Sequence, residues 1–255
     1  MTSNEIWLRD RADELKASID FCTRLPLAHA TPITGSAIAQ AGWAFPVAGV
    51  IVGLIGAVVY ALAHRLGLPA WPAAALTVAA TLLATGCLHE DGLADTADGF
   101  GGGKTREQKL DIMRDSRIGT YGVCALAMSF LLRAGALASF ADPHLVVWAL
   151  IASHGAARAT MPALMYLLPP ARRDGLSFNA GHPPGETVAA AAVLGVLILA
   201  FCLHPGRGAV ALILLCVAVA VMAWLSMRQI EGQTGDVLGA AEQVSEIVIL
   251  LVALG

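Results

Sequence analysis

Long apolar segments alternate with short polar segments along this chain. Seven stretches are nearly free of charged side chains, at about 43–62, 68–88, 118–140, 145–168, 187–203, 208–227 and 236–254. Most of them reach the length of about 20 residues that a helix needs to cross the hydrocarbon core of a bilayer. The fifth stretch is short and the last carries two glutamates, so either could be tilted or re-entrant. The pattern predicts an all-α fold, a polytopic transmembrane helical bundle of about seven spans.

The segment before the first span is amphipathic. Its apolar residues recur at helical spacing, at Leu8, Ala12, Leu15, Ile19 and Cys22. This pattern is typical of a helix that lies in the membrane interface, and it fits equally a surface helix docked on the bundle. No charge-free core precedes residue 43, which excludes a signal peptide. We therefore predict a single integral membrane domain over 1–255, with an amphipathic segment at 1–42 and the bundle at 43–255.

Composition and charge support a membrane protein and predict its orientation. Hydrophobic residues make up 57% of the chain and charged residues 14%, and the mean hydropathy is +0.69. Twelve Lys and Arg side chains flank the spans on the side of the amino terminus, whereas only Arg65 and Arg207 lie on the other side. Cytoplasmic segments keep the excess of positive charge. The amino terminus is therefore expected to be cytoplasmic.

The segment 89–103 concentrates carboxylates directly after an apolar stretch. If it is helical, Asp91, Asp95 and Asp98 share one face at i, i+4 and i+7. Neighbours at about 5–6 Å repel by roughly 3 kcal/mol at an effective dielectric near 20, and a divalent cation removes that cost. Hard oxygen ligands favour Mg²⁺ or Mn²⁺, so we predict metal ligation by these three residues and Glu90. A solvated acidic helix end is the alternative, although no basic residue is interleaved there.

Two more polar, glycine-rich segments, 114–122 and 231–240, adjoin the predicted cytoplasmic ends of other spans. In the first, the guanidinium groups of Arg114 and Arg117 match phosphate oxygens, or they simply anchor the chain at the membrane. In the second, glycines allow the backbone to approach a phosphate or metal closely, or they form a turn before a helix. One shared cytoplasmic site would explain all three segments.

Ionisable groups also lie within the predicted spans. His154 and Arg158 are spaced i, i+4 and therefore face the same way. An arginine inside a span costs at least about 2.5–3.5 kcal/mol, so Arg158 needs a partner such as a phosphate, Glu242 or Glu246. Arg133 stays unassigned because its long side chain could reach the membrane surface.

The residues at 89–100, 113–122 and 232–240, together with 21–26, closely resemble the cobalamin synthase family, the adenosylcobinamide-GDP ribazoletransferases. The resemblance covers essentially the whole chain. It implies a Mg²⁺-dependent integral enzyme of the bacterial inner membrane, with its active site on the cytoplasmic side. Such an enzyme joins adenosylcobinamide-GDP to α-ribazole or its 5′-phosphate, releases GMP, and forms adenosylcobalamin or its 5′-phosphate.

The resemblance implies a role in that reaction for several residues of these motifs. Metal ions on the four carboxylates of 90–98 would neutralise the charge that builds on the phosphate oxygens. Asp98 would take part in catalysis, Asp115 or Asp236 could accept the proton of the attacking hydroxyl, and Asp236 could instead complete the metal shell. The predicted substrate-binding residues are His89, Arg114, Ser116, Arg117, His154, Arg158, Gln233 and Thr234.

Two alternative functions use the same features. A CDP-alcohol phosphotransferase of phospholipid synthesis performs an analogous exchange, but its Asp-Gly-x-x-Ala-Arg signature is absent because Asp95 follows Ala94. A cation-coupled transporter would carry ions on acidic residues in its spans, whereas here the acids cluster at one interface without an internal repeat. As partners we expect the two substrates and membrane lipid, and we expect no nucleic acid. The sequence leaves open whether the protein forms a homo-oligomer or contacts other corrinoid-assembly enzymes.

Overall fold

A computed structural model describes residues 2–26 and 35–255 of the chain, so residues 1 and 27–34 of the predicted amino-terminal segment lie outside the described residues. The predicted all-helical fold is confirmed. The helices are α1 Ser3–Cys22, α2 Gly35–Ala41, α3 Phe45–Arg65, α4 Ala70–Thr85, α5 Leu88–Gly102, α6 Arg106–Ile112, α7 Thr120–Ala138, α8 Pro143–Arg158, α9 Thr160–Leu167, α10 Gly175–Ala180, α11 Gly185–Cys202, α12 Pro205–Ile230 and α13 Gly235–Leu254, with a 3₁₀ turn at Gly42–Ala44.

Fewer single helices than the predicted seven have the length and apolar composition to cross a membrane. Within the described ranges, five helices are long and apolar enough to cross a membrane, and α4 with α5 makes a sixth if that bent pair is one span. The predicted span at 145–168 is interrupted at Ala159, between α8 and α9. Pro162 has no N–H to continue the α8 ladder, and the Thr160 hydroxyl donates to the Ala157 carbonyl at 2.7 Å. The polytopic helical bundle itself is confirmed.

The bend between α4 and α5 directs the acidic segment away from the preceding span. Gly86 and Cys87 have φ of 65° and 59°, and two consecutive left-handed residues turn the chain by 92°. Glycine ends α4 in the usual left-handed cap, whereas positive φ is uncommon for a cysteine. The Arg24 backbone N–H donates to the Ala84 carbonyl at 2.7 Å, which ties the end of α1 to this corner.

Small residues bring α3 and α8 into backbone contact. A Cβ atom on Gly53 would lie 2.6 Å from the Leu150 carbonyl oxygen, and one on Gly49 would overlap the carbonyl of His154. Close crossings of this kind are the usual way in which membrane helices pack, since lipid offers them no hydrophobic drive to associate. The contact fixes the position of α8 and of its buried polar residues.

The predicted helix before the first span is confirmed as α1, and its two halves differ. Its first turns leave Ile6, Trp7 and Leu8 about half exposed or more, at 49%, 59% and 60%. Its second half docks on the bundle, where the Ser18 hydroxyl donates to the Ala41 carbonyl at 2.6 Å. The exposed apolar side chains fit an interfacial helix, and the buried half fits a docked one.

Candidate active site

The three polar segments meet at one end of the bundle, as predicted. Helices α5 and α13 cross closely, since a Cβ on Gly92 would lie 2.7 Å from the Asp236 carbonyl oxygen and one on Gly239 would lie 3.2 Å from the His89 Cα. The second segment joins them through Asp98, whose carboxylate contacts Gly119 and Gly122. Glycine at the crossing therefore has a packing function in both helices.

Asp98 links α5 to the beginning of α7. Its carboxylate is buried and accepts the backbone N–H groups of Gly119 at 2.7 Å and Gly122 at 2.9 Å. A carboxylate at a helix amino terminus satisfies unpaired donors and is favoured by the helix dipole. Asp98 therefore holds the beginning of α7 in position. The residues it contacts lie more than twenty positions later in the chain, so the sequence pattern around Asp98 could not reveal this contact.

Asp91 and Asp95 lie on one face of α5, whose predicted helical structure is confirmed. In the part of the chain that the structure describes, neither carboxylate has a hydrogen-bond or salt-bridge partner. Both line an open cavity of ≈ 420 Å³, hereafter the acidic cavity, together with Arg114, Asp115 and Ser116. Neighbouring carboxylates without a protein partner are suited to a hard divalent cation.

Glu90 also lines the acidic cavity, but its carboxylate is paired inside the bundle. Its Oε1 lies 3.0 Å from Nη1 of Arg133, and the same Nη1 lies 3.3 Å from Oε1 of Glu246. Arg133 is only 1% exposed, so it does not reach the membrane surface as the sequence had left open. The charge of Glu90 is therefore already balanced by a guanidinium, and only its Oε2 lacks a partner among the described residues.

His154 and Arg158 reach the carboxylates that the sequence indicated. Nη1 of Arg158 lies 2.7 Å from Oε1 of Glu242, and Nδ1 of His154 lies 3.3 Å from Oε2 of Glu246. The Gln243 amide donates to Oε2 of Glu242 at 3.0 Å and of Glu246 at 3.4 Å. These side chains form one buried ionic network, with Glu90 and Arg133, that connects α5, α7, α8 and α13.

His154, Glu242 and Glu246 form the one compact group of potential metal ligands in the described ranges. Their ligand atoms all lie within 4.8 Å of one another. These donors could hold a metal. Both glutamates, however, are already in contact with the guanidinium groups of Arg158 and Arg133. A cation would have to displace or repel those positive charges, so we interpret the group as an ion-pair network. The carboxylates predicted at 90–98 do not form such a compact group in this structure.

Both arginines of the second segment are paired with carboxylates. Nη2 of Arg114 contacts both oxygens of Asp174 at 2.6 Å, and Nη2 of Arg117 contacts Asp115 at 2.6 Å. Hydrogen bonds from Arg117 lower the pKa of Asp115 to about 2, from an ordinary value of 3.8. A carboxylate that holds a proton so weakly is a weak general base at neutral pH.

The third segment holds the loop before α13 in place. The backbone of Gln233 pairs with Pro169 and Ala171 at 2.8 Å each, and its buried side chain accepts a hydrogen bond from Ser177. Thr234 caps α13 through the Val237 N–H. These two residues, predicted to bind substrate, have structural partners in the described chain.

Asp236 and Arg172 lie beside them at the edge of a second cavity. Nη2 of Arg172 lies 3.4 Å from Oδ2 of Asp236, and the Thr234 hydroxyl donates to the same oxygen at 3.1 Å. Sequence reasoning did not single out Arg172 as a site residue. The signal available in the sequence was the Arg172-Arg173 pair in a predicted cytoplasmic loop.

The second cavity, of ≈ 250 Å³, is mostly apolar and is hereafter the apolar cavity. Asp91, Asp236 and Arg172 form its polar wall, and Asp91 also lines the acidic cavity. The two cavities therefore share a carboxylate, and two molecules bound in them would meet at Asp91.

The chain is similar to proteins of one family over nearly its whole length. Residues 14–254 match the family model of cobalamin-5-phosphate synthase. A relative from Bradyrhizobium diazoefficiens is 59% identical over 96% of this chain and 95% of its own length, and one from Mesorhizobium japonicum is 54% identical over 96% and 94%. Both carry the name adenosylcobinamide-GDP ribazoletransferase. No solved structure matches the chain. The extent of these matches shows that the chain belongs to the cobalamin-5-phosphate synthase family of multi-pass membrane transferases in cobalamin biosynthesis.

Proposed function

We propose that the chain is an adenosylcobinamide-GDP ribazoletransferase that joins adenosylcobinamide-GDP to α-ribazole or its 5′-phosphate and releases GMP. The two relatives, which match this chain over nearly their full length, carry the name of this activity. The structural observation that carries the proposal is the position of Asp91 in the wall of both cavities. A reaction between two bound substrates needs such a meeting point.

The reaction is a phosphoryl transfer. A ribose hydroxyl oxygen forms a bond to the phosphorus that carries cobinamide, the bond from that phosphorus to the bridging oxygen breaks, and GMP leaves with that oxygen. The hydroxyl proton passes to a carboxylate. Negative charge builds on the bridging and equatorial oxygens. Arg114, in the wall of the acidic cavity, can offset it by exchanging its present carboxylate partner for phosphate, and Arg117, held by Asp115, adds positive charge beside it.

Mg²⁺ is the cofactor that the carboxylates of α5 fit best. Asp91 and Asp95 would hold it, because they lack protein partners in the described ranges, with Asp98 and Glu90 next to them on the same helix. When bound, the ion stabilises charge on the transferring phosphoryl group. Asp98 also sets the position of α7, and Glu90 contributes through its contact with Arg133.

Asp236 is the better candidate for the proton acceptor. Asp115 is stabilised as an ionised carboxylate by Arg117, and its pKa of about 2 makes it a weak base. Asp236 lines the apolar cavity beside Asp91, at the position where two substrates would meet. We therefore assign the proton transfer to Asp236 and a positioning role for Arg117 to Asp115.

The site is proposed to face the cytoplasm from a single domain in the bacterial inner membrane. The basic loops lie together at one end, since Nε of Arg106 donates to the Ile230 carbonyl at 2.9 Å and Arg114 contacts Asp174. In a variant without the exposed Cys87, Cys124 and Cys216, a cysteine at Lys104 should be protected from an impermeant thiol reagent in intact cells.

A cysteine at His144, in the opposite loop, should react under the same conditions, which controls for reagent access. Labelling of the Lys104 position from outside, with protection at His144, would reverse the proposed orientation.

The activity itself is tested with purified protein in detergent. With adenosylcobinamide-GDP, α-ribazole and Mg²⁺ we expect GMP and the joined corrinoid product. With Mg²⁺ kept and CDP-diacylglycerol and glycerol phosphate in place of the two substrates, we expect no CMP. Release of CMP without GMP would favour the phospholipid phosphotransferase. Because detergent solution has no compartments, GMP formation there would exclude a mechanism that depends on transport.

A further inference from the structure

Aromatic rings and thioethers line the interior of the apolar cavity. The rings of Phe21 and Phe45 are stacked, with centroids 5.5 Å apart and planes 13° from parallel, and both line the cavity. The thioethers of Met161 and Met165 line it as well. Aromatic rings prefer such offset stacking, and methionine adapts its shape to an aromatic neighbour.

The polar wall of the same cavity matches a sugar and a phosphate. Asp91 and Asp236 can accept hydrogen bonds from hydroxyl groups. Nη1 of Arg172 is buried and has no hydrogen-bond partner among the described residues, so it is available to an anionic group. A nucleoside with an optional 5′-phosphate has these features on one side and an apolar base on the other.

His89 also lines the apolar cavity. Its Nδ1 lies 3.5 Å from Nη2 of Arg158, a group that can only donate, and 3.9 Å from Oε2 of Glu242. The tautomer with its proton on Nε2 leaves Nδ1 free to accept from Arg158. In the described chain this Nε2 has no hydrogen-bond partner, and His89 is 1% exposed. A benzimidazole that carries ribose on one nitrogen has a second, free nitrogen that accepts a hydrogen bond.

The acidic cavity has the opposite character. Its carboxylates, with Arg114 and Ser116, suit a pyrophosphate bound through a cation. It offers a benzimidazole no comparable aromatic wall, because Phe130 is its one aromatic lining residue in the described ranges. The two cavities are therefore complementary to different substrates.

Resting on the proposed function, we propose that the apolar cavity binds α-ribazole, with its dimethylbenzimidazole base between Phe45 and the methionines and its ribose at Asp91 and Asp236. The pyrophosphate of adenosylcobinamide-GDP then occupies the acidic cavity. The ribose hydroxyl approaches the phosphorus from one side of Asp91 and GMP leaves on the other, as an in-line displacement requires.

The preference for the methylated base tests this assignment. Wild-type protein should show a kcat/KM for α-ribazole about tenfold above that for the same nucleoside without its two methyl groups, the effect of burying two methyl groups. Both nucleosides are assayed on one preparation, so the ratio does not depend on the folded fraction.

Two variants fill the apolar cavity and one matched variant fills the acidic cavity. Leu238→Phe and Met165→Phe should each bring the ratio close to one, because the larger ring occupies the space of the methyl groups. Leu126→Phe in the acidic cavity should keep the wild-type ratio and raise the KM for adenosylcobinamide-GDP.

The assignment is overturned by a wild-type ratio near one, or by a ratio that changes in Leu126→Phe and not in the other two variants. Absence of GMP with either nucleoside contradicts the proposed function instead. In that case equilibrium dialysis with α-ribazole alone still tests the cavity, because Leu238→Phe should weaken binding about tenfold and Leu126→Phe should not. Unmeasurable binding to wild-type protein, as expected if an acyl chain fills the cavity, also overturns it.

Discussion

Asp91→Asn and Asp95→Asn should each lower the rate of GMP release about a thousandfold or more while the protein stays folded in the membrane. The amide keeps the shape of the side chain and one oxygen ligand, but it loses the charge that binds the cation and offsets phosphoryl charge. A loss of about 4 kcal/mol of transition-state stabilisation corresponds to this factor. The measurement is single-turnover release of GMP at saturating substrates and Mg²⁺.

The matched control is Asp111→Asn, the same chemical change at an exposed position on α6. It should leave the rate within about twofold of wild type, as should Lys104→Ala, because surface changes away from a site have small effects. Partial recovery at higher Mg²⁺ would support weakened metal binding. Near-normal turnover of both aspartate variants at saturating Mg²⁺ would rule out the proposed metal site.

Asp98→Asn should abolish GMP release and, unlike the other two aspartate variants, should also lower the free energy of unfolding. The reason is that the amide NH₂ would face one of the two backbone N–H groups that now donate to Asp98. An unsatisfied buried donor costs about 1–3 kcal/mol. Asp91→Asn and Asp95→Asn instead remove repulsion between neighbours and should not destabilise the fold.

Arg158→Met should lower the free energy of unfolding by about 3–5 kcal/mol, the usual cost of breaking a buried ion pair. Arg158 is 1% exposed and its Nη1 lies 2.7 Å from Glu242, so the variant leaves an unbalanced carboxylate inside the bundle. Unfolding by sodium dodecyl sulfate in mixed micelles measures the difference. The substitution alters the packing of the helices and leaves Asp91 and Asp95, which we place at the metal, unchanged.

The second change Glu242→Gln should recover a large part of that loss, because it removes the carboxylate that was left unbalanced. Arg65→Met is the control for the substitution itself, since Arg65 is exposed. Equal stability of Arg158→Met and Arg65→Met would show that the pair does not hold the bundle together.

The sequence by itself determined the helical bundle, the acidic face of α5 and the need of the buried Arg158 for a partner. Each of these follows from local spacing: apolar runs of bilayer length predict spans, and carboxylates at i and i+4 share a helix face. Arg158 required a partner because an unpaired arginine is too costly within a span. A phosphate, Glu242 and Glu246 were the candidates, and the structure pairs Arg158 with Glu242.

Only the tertiary structure decided which of the acidic residues are free. Glu90 and Asp91 are neighbours in the chain, yet Glu90 pairs with Arg133 inside the bundle while Asp91 lines both cavities. The 92° bend at Gly86 and Cys87 falls in the last residues of the apolar run at 68–88, and hydropathy carries no signal of it. Periodicity specifies the face on which a side chain lies, but the partner it meets there depends on residues many turns away, which only packing brings into contact.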